Sequence, residues 1–390
     1  MKSLSINRRI KSVLGSSTLA ITARAKELKA QGKDVVNFAA GEPDFDTPDT
    51  IKQAAVEAMN NGQTKYTPSI GMPALREQIV KKFKEDNGLD YKPSQVAVSC
   101  GAKHSLFSII QVLVDEGEEV IIPAPYWVSY PEMVKIAGGA SKIVQTGPDT
   151  EFKLTADLLE KNISEKTKIL ILNSPSNPTG MLYTKEELAP LAEICVKNGI
   201  YIISDEIYEK LIYDTDTYTS IASLGKDIYD LTITVNGISK AYSMTGWRIG
   251  YCAGSEEIIG YIKKLQDHST SCPSSISQHA ALQALKEPES KVKEMRDIFK
   301  ERRQIITSAI DNIPEISYIM PQGAFYLFAD FSKLGESFAI AKEIIDQKYV
   351  AIIPGEGFGA PGFMRLSFAT SAERIQEGIN RISDWVSQQK

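Results

Sequence analysis

Histidine and cysteine are scarce here: three and four among 390 residues. Cys100, Cys195, Cys252 and Cys272 are scattered, with no Cys-x-x-Cys pair and no metal-like spacing toward a histidine. That excludes a structural zinc site and a disulfide framework as expectations, and it suits reduced thiols in a cytoplasm. Long apolar runs are missing too, none approaching the ~18 residues a membrane span requires. Met1 to Lys11 is basic, but Val13-Leu14 gives way at once to Gly15-Ser16-Ser17-Thr18, so no signal peptide is read. Nor is there an excess of basic residues: a net charge of −5 argues against a nucleic-acid surface, while leaving room for a local basic pocket. The expectation is a soluble cytoplasmic protein without metal, membrane or nucleic-acid contacts.

What is present is enough chain for more than one core: 390 residues set two domains, or one large and one small, as the starting point. Short apolar runs alternate with helical patterns. Val96-Ala97-Val98-Ser99 reads as a strand, with a helix from Gly101-Ala102 to about Val114. Glu119 to Ile122, Lys168 to Leu172, Tyr201 to Ser204 and Thr232 to Val235 are further strands. Thr184, with Glu187 three residues on, opens a helix running to about Asn198. Near-continuous apolar strands alternating with helices indicate an α/β fold with a mostly parallel sheet, buried on both faces. Ligands of such sheets bind beyond the carboxyl ends of the strands, where Asn177, Asp205 and Lys240 all fall. After about Pro288 the pattern changes to a long amphipathic helix (about 291–310), the strands Phe325 to Phe328 and Arg365 to Phe368, and a closing helix (about 372–388). This reads as a smaller α+β domain, made discontinuous by a helix at about 19–30. The expected division is 47–287 for the large domain, with 1–46 and 288–390 for the small one.

Two stretches carry the chemistry. Ser204-Asp205-Glu206-Ile207-Tyr208 sets a carboxylate and a phenol at the end of an apolar run. Asn236-Gly237-Ile238-Ser239-Lys240 is followed, eight residues after the lysine, by Arg248. A lysine amine condenses with an aldehyde, and an arginine fork suits a phosphate. A carboxylate at the end of a buried strand needs a partner such as a pyridinium N–H. Pyridoxal phosphate is a cofactor that asks for these groups together. Each residue also has a plainer reading: an exposed lysine, a helix N-cap for Asp205, a core tyrosine for Tyr208. Gly101 and Ala102 link a strand to a helix start, where free amides favour an anion. Trp127 can stack on an aromatic ring, or simply belong to the core. Arg365, in an apolar strand, demands an anion: a substrate carboxylate, or an ordinary ion pair with an Asp or Glu.

With these residues placed, the chain resembles the class I aminotransferases of the fold-type I pyridoxal-phosphate group, most of all their bacterial aspartate-specific members. The resemblance runs nearly end to end, through Ala40-Gly41-Glu42-Pro43-Asp44-Phe45, Lys65-Tyr66-Thr67-Pro68, Pro125-Tyr126-Trp127, 173–180, 204–210, 239–250 and 365–369. It implies a seven-stranded-type sheet sandwiched by helices, with Lys240 as the Schiff-base lysine and Asp205 as partner of the ring nitrogen. It places Tyr208 and Asn177 on the ring hydroxyl and Trp127 against the ring. Gly101, Ala102 and Arg248 would hold the phosphate, with Ser239 compensating for the serine missing at Gly237. Arg365 and the backbone of Gly41 would hold the substrate α-carboxylate. Tyr66 would reach the phosphate of a neighbouring subunit, implying a homodimer with shared active sites.

Two positions depart from the family pattern. Gly237 stands where many relatives carry a phosphate-binding serine. The segment 251–295 contains no arginine for the distal carboxylate of a dicarboxylic substrate. In the similar bacterial subgroup a lysine takes that role, which points to Lys103, with Thr18 beside it. The activity implied is ping-pong amino transfer from L-aspartate to 2-oxoglutarate. Alternatives on the same scaffold are aromatic, prephenate or alanine amino transfer, a C–S lyase, and a non-catalytic cofactor-binding regulator.

Overall fold

Seven strands lie side by side in one sheet, in the spatial order Val96–Ser99, Gly250–Ala253, Thr232–Gly237, Tyr201–Asp205, Thr167–Asn173, Glu119–Ala124 and Ala140–Gln145. In this computed structural model residues 6–15 and 17–389 are described, the side chains of 17–20 excepted. The last five strands of that order pair in parallel. Gly250–Ala253 runs antiparallel to both of its neighbours. The sheet is therefore mostly parallel, as the apolar runs predict. Isoleucine and leucine fill the central strands, with Ile169, Leu170, Ile202 and Ile203 wholly buried, because helices cover both faces.

The antiparallel strand is absent from the sequence reading, and the reason is local. Gly250-Tyr251-Cys252-Ala253 carries little of the β-branched signal of its neighbours. Glycine is required at its start by close approach: a Cβ on Gly250 would lie 2.1 Å from the Ala102 amide nitrogen. Opposite it, a Cβ on Gly237 would lie 3.1 Å from the Gly250 Cα and 3.2 Å from Ile207 Cδ1. The departure at Gly237 thus accompanies a tightly closed backbone, in which a serine side chain would displace its neighbours.

The helices end where local chemistry ends them. Thr184 and Glu187 form the reciprocal capping box of helix Lys185–Asn198, which stops at Gly199 in the left-handed conformation. Helix Ala102–Leu113 follows the first strand directly, its N-cap Gly101 at φ 88°.

A second sheet, antiparallel throughout, has the order Ile353–Pro354, Phe363–Ser367, Tyr326–Asp330, Ser317–Tyr318. The strand expected at 325–328 begins one residue later and pairs Phe328 with Arg365. A two-residue parallel pair joins Val36–Asn37 to Val350–Ala351. One apolar core collects Ile21, Leu28 and Phe38 from the N-terminal segments with Phe299, Phe328, Ile344 and Trp385 from the C-terminal ones. The N-terminal helix, Ser17–Ala30, packs with the C-terminal part of the chain, as read from the sequence. Three further clusters pack about the large sheet. Among the described residues, no helix is long and apolar enough to cross a membrane.

Candidate active site

A cavity of about 440 Å³ opens at the carboxyl ends of the parallel strands and is closed from the other side by the smaller sheet. From the large sheet come Asn173 and Asp205 at strand ends, Asn177 from the loop after Asn173, and Ser239 and Lys240 after Gly237. From the other side come Ala39, Gly41, Tyr326 and Arg365.

Asp205 is the last residue of its strand and is buried. Its Oδ2 accepts from the Tyr130 hydroxyl at 2.6 Å and its Oδ1 from the Ile207 amide at 3.3 Å. No helix follows, so the N-cap reading does not apply: residues 207–210 form a turn. Burial raises the Asp205 carboxyl to about 6, against the Tyr130 hydrogen bond, which favours the ionised form. A cationic donor arriving in the cavity would restore the charged form.

Lys240 donates from Nζ to the Gly41 carbonyl at 2.6 Å. Burial, with Arg365 and Arg248 also acting downward and Glu42 opposing, lowers its amine to about 8. Such an amine is a nucleophile and base near neutrality.

Tyr208 shares a hydrogen bond of 2.9 Å with the Tyr326 hydroxyl, and burial pushes its phenol well above the ordinary range. It therefore acts as a neutral donor.

Arg365 is 4% exposed, and its guanidinium donates to Asn177 Oδ1 and the Ala39 carbonyl, both at 3.0 Å. It stacks over the Tyr326 ring at 4.5 Å, and its Nε has no partner. Among the described residues no carboxylate pairs with it, which removes the ordinary ion pair as an explanation. A buried guanidinium with spare donors facing a cavity is a receptor for a carboxylate.

At the other end of the cavity, the first amides of helix Ala102–Leu113 meet Arg248. Arg248 sits at φ 54°, donates to the Thr245 carbonyl at 2.8 Å, and approaches so closely that a Cβ on Gly101 would lie 2.3 Å from its Nη2. Unsatisfied helix amides beside a guanidinium make an anion site. Ser239 is buried and lines the same cavity. Trp127 contributes to the wall, edge-on to Tyr130 with ring centroids 5.3 Å apart. Lys103 is exposed, with Nζ 4.7 Å from the Trp127 ring centroid.

Of the residues singled out from the sequence, the structure gathers Lys240, Asp205, Tyr208, Asn177, Trp127, Ala102, Ser239, Arg248, Gly41, Arg365 and Lys103 around one cavity. Gly101 lies just behind its wall. Tyr66 does not join them: it is 89% exposed. The Thr18 side chain lies outside the described residues.

Tyr130, Tyr326, Glu42 and Thr22 also line the cavity and escaped the sequence reading. Tyr130 and Tyr326 sit within aromatic runs that look like core, and only contact with Asp205 and Tyr208 separates them from it. Glu42 accepts from the Thr245 hydroxyl at 2.6 Å. It had a signal, being one of the residues between Gly41 and Phe45 that carry the family resemblance.

Residues 33–382 match the family model of class I and II aminotransferases. An aspartate aminotransferase from Bacillus sp. (strain YM-2) is 50% identical over 392 residues, covering 99% of this chain and 100% of its own. A probable aspartate/prephenate aminotransferase from Aquifex aeolicus (strain VF5) is 47% identical over 380 residues, 96% of each chain. Among solved structures, the aspartate aminotransferase of Thermus thermophilus with maleate has a TM-score of 0.94 at 40% identity, covering 98% of this chain and 99% of that one. A strand-end lysine, a buried aspartate and a guanidinium at each end of one cavity are thus arranged on a fold shared over nearly the whole chain, which belongs to the class I and II aminotransferases.

Proposed function

We propose that the chain is a pyridoxal-phosphate-dependent enzyme that transfers the amino group of L-aspartate to 2-oxoglutarate, giving oxaloacetate and L-glutamate by a ping-pong cycle. The observation that carries the reading is the convergence of Lys240, Asp205, Tyr208 and Arg248 on one cavity. The cradle fits this cofactor: amides and Arg248 for its phosphate, a buried carboxylate for its ring nitrogen, a neutral phenol for its ring oxygen, and a lowered amine for its aldehyde. When bound, pyridoxal phosphate supplies an electron sink for the pair left at the substrate Cα when a proton departs.

The chain's own residues do the rest. Arg365 and the Gly41 backbone hold the α-carboxylate and so orient Cα. Lys240 Nζ takes the proton from Cα and gives a proton back, as general base and then acid. Asp205, kept in place by Tyr130, would hold the ring nitrogen protonated. Asn177 and Tyr208 would hold the ring oxygen, Trp127 would cover the ring, and Ser239 would assist at the phosphate. Tyr66, projecting into solvent from its own subunit, reaches the phosphate of a second copy in a homodimer. The large domain spans 47–287 and the small one 1–46 and 288–390, with the cavity between them. The enzyme works in the cytoplasm.

Lys103 and Thr18 recognise the distal carboxylate. In support, Lys103 lines the cavity mouth beside Trp127. Helix Ser17–Ala30 passes the cavity and sets Thr22 in its wall. The Thermus thermophilus structure pairs a similar fold with maleate, a four-carbon dicarboxylate. Lys103→Ala should reduce kcat/KM for aspartate by about 10- to 100-fold, the value of a charge-assisted hydrogen bond, while a neutral donor such as alanine changes little. Equal losses for both donors would remove Lys103 from specificity.

The function itself is tested by absorption of the cofactor-loaded protein. L-Aspartate without any oxo acid should convert the spectrum to that of the amine form, and 2-oxoglutarate should reverse it. Conversion by glutamate that is reversed by prephenate but not by oxaloacetate would favour the second activity named for the Aquifex aeolicus relative. A protein that takes up no pyridoxal phosphate would overturn the reading.

A further inference from the structure

Asp205 and Tyr208 reach the cavity from a turn whose other two acidic side chains, Glu206 and Glu209, take no part in its wall. These two turn away, into a sealed cluster. Glu206 is fully buried, and its Oε1 accepts from the hydroxyls of Ser204 at 2.8 Å and Ser220 at 2.6 Å. Its Oε2 has no partner. Glu209 accepts from Asn87 Nδ2 at 2.7 Å and pairs with the buried ammonium of Lys82. Lys82 in turn donates to Asn87 Oδ1 at 2.8 Å, and Lys210 pairs with Asp86 at 2.8 Å. Lys82, Asp86 and Asn87 all belong to helix Pro73–Asn87, distant in sequence from the turn.

A buried ion pair is a poor stabiliser, since apolar side chains of equal volume hold a core as well or better. Its advantage is direction: hydrogen bonds fix angles that apolar packing leaves free. The sheet holds the Asp205 main chain, whose carbonyl accepts from Ser174 N at 3.2 Å and Asn173 Nδ2 at 2.9 Å, but beyond that residue the main chain of the turn supplies few such constraints. Glu206 N bonds to the Val235 carbonyl at 2.9 Å, Glu209 N to that of Glu206 at 3.0 Å, and Leu211 N to that of Tyr208 at 2.8 Å. With residues 205 and 208 on one side and 206 and 209 on the other, whatever holds the second pair aims the first.

We propose that Lys82, Glu206 and Glu209 are positioning residues, which clamp the far side of the turn and thereby fix Asp205 and Tyr208 in the geometry the cofactor requires. This rests on the cofactor reading above. Glu209 holds the Lys82 ammonium, whereas Glu206 has only the hydroxyls of Ser204 and Ser220 as partners. Burial first, and then the Glu209 charge, raise Glu206 to about 7, so that a neutral acid is a populated form of it near neutrality.

The test compares the full-length enzyme with Lys82→Met/Glu209→Met, which removes both charges at nearly constant volume and leaves no orphaned ion. The expected result is a folded protein with a thermal midpoint a few degrees below that of the parent, because the buried Asn87 amide loses both partners, pyridoxal phosphate bound about 10-fold more weakly by the apo protein, and kcat lowered about 10- to 100-fold. KM for the amino donor should hold within about twofold, because Arg365 and Gly41 sit on other segments. Parent-like cofactor affinity and kcat would overturn the proposal and leave the cluster a packing element.

Should the double variant not fold, Glu206 supplies the same comparison. Glu206→Gln, the shape of the neutral acid, should match the parent in cofactor affinity and kcat, while Glu206→Leu should lose both. Equality of the two variants would also overturn the proposal. If the parent itself binds no pyridoxal phosphate, the cofactor reading fails, and this proposal fails with it.

Discussion

Replacing Lys240 by alanine is expected to lower kcat for amino transfer by at least about 10⁴-fold, the upper range of a general acid–base contribution. Among the described residues, no other amine or carboxylate lining the cavity stands where Lys240 does. Asp205 is engaged by Tyr130, and Glu42 by Thr245. The Tyr208 phenol is held far above neutrality by burial and its neighbour Tyr326. Lys103 stands over Trp127 at the mouth.

The same residue sets a pH signature. Burial lowers the Lys240 amine from 10.5 to about 8, so the neutral amine grows with pH up to that value and then saturates. Capture of pyridoxal phosphate by the apo protein should therefore accelerate about tenfold per pH unit below about 8 and level off above it, as followed by absorbance in a stopped-flow mixer. Lys240→Ala should show no such limb. A variant retaining activity within about 100-fold of the parent would place the base on another residue.

Asp205→Asn is the second large effect. The amide can still accept from Tyr130 and preserve the local packing, but it carries no charge to keep a ring nitrogen protonated. Removing one member of a buried ion pair costs about 3–5 kcal/mol, or about 10²–10⁴-fold in rate if the loss falls on the transition state. The expected split is a large fall in kcat with KM for the amino donor nearly unchanged, since Arg365 and the Gly41 backbone lie elsewhere. A fall confined to cofactor affinity, with kcat intact at saturating pyridoxal phosphate, would reduce Asp205 to an anchoring role. Tyr130→Phe should show a milder version, because it removes the 2.6 Å hydrogen bond while leaving the carboxylate in place.

Much of the architecture was legible because its signals are local. The strands at 169–172, 201–204 and 232–235 are short apolar runs whose side chains are buried on both faces, and period and composition betray that directly. The capping box at Thr184 and Glu187 needs only four residues in a row. The antiparallel strand Gly250–Ala253 was not legible, because glycine there answers a contact with Ala102, a residue roughly 150 positions away.

The chemistry divides along the same line. By itself, the sequence determined the kinds of groups available and their order: a lysine after one strand, a carboxylate after another, an arginine within a third. Each is a residue type that a buried strand end accommodates only for a reason, so each stands out against its apolar neighbours. Only the tertiary structure decided what those groups do to one another. It brought Tyr130 onto Asp205 and Tyr326 onto Tyr208, and it denied Arg365 a carboxylate partner among the described residues. It also buried the Lys82–Glu209 pair behind the turn. The physical reason is that burial and pairing are properties of distance in space: the Lys240 amine falls to about 8 because desolvation, Arg365 and Arg248 meet at one point and together outweigh Glu42.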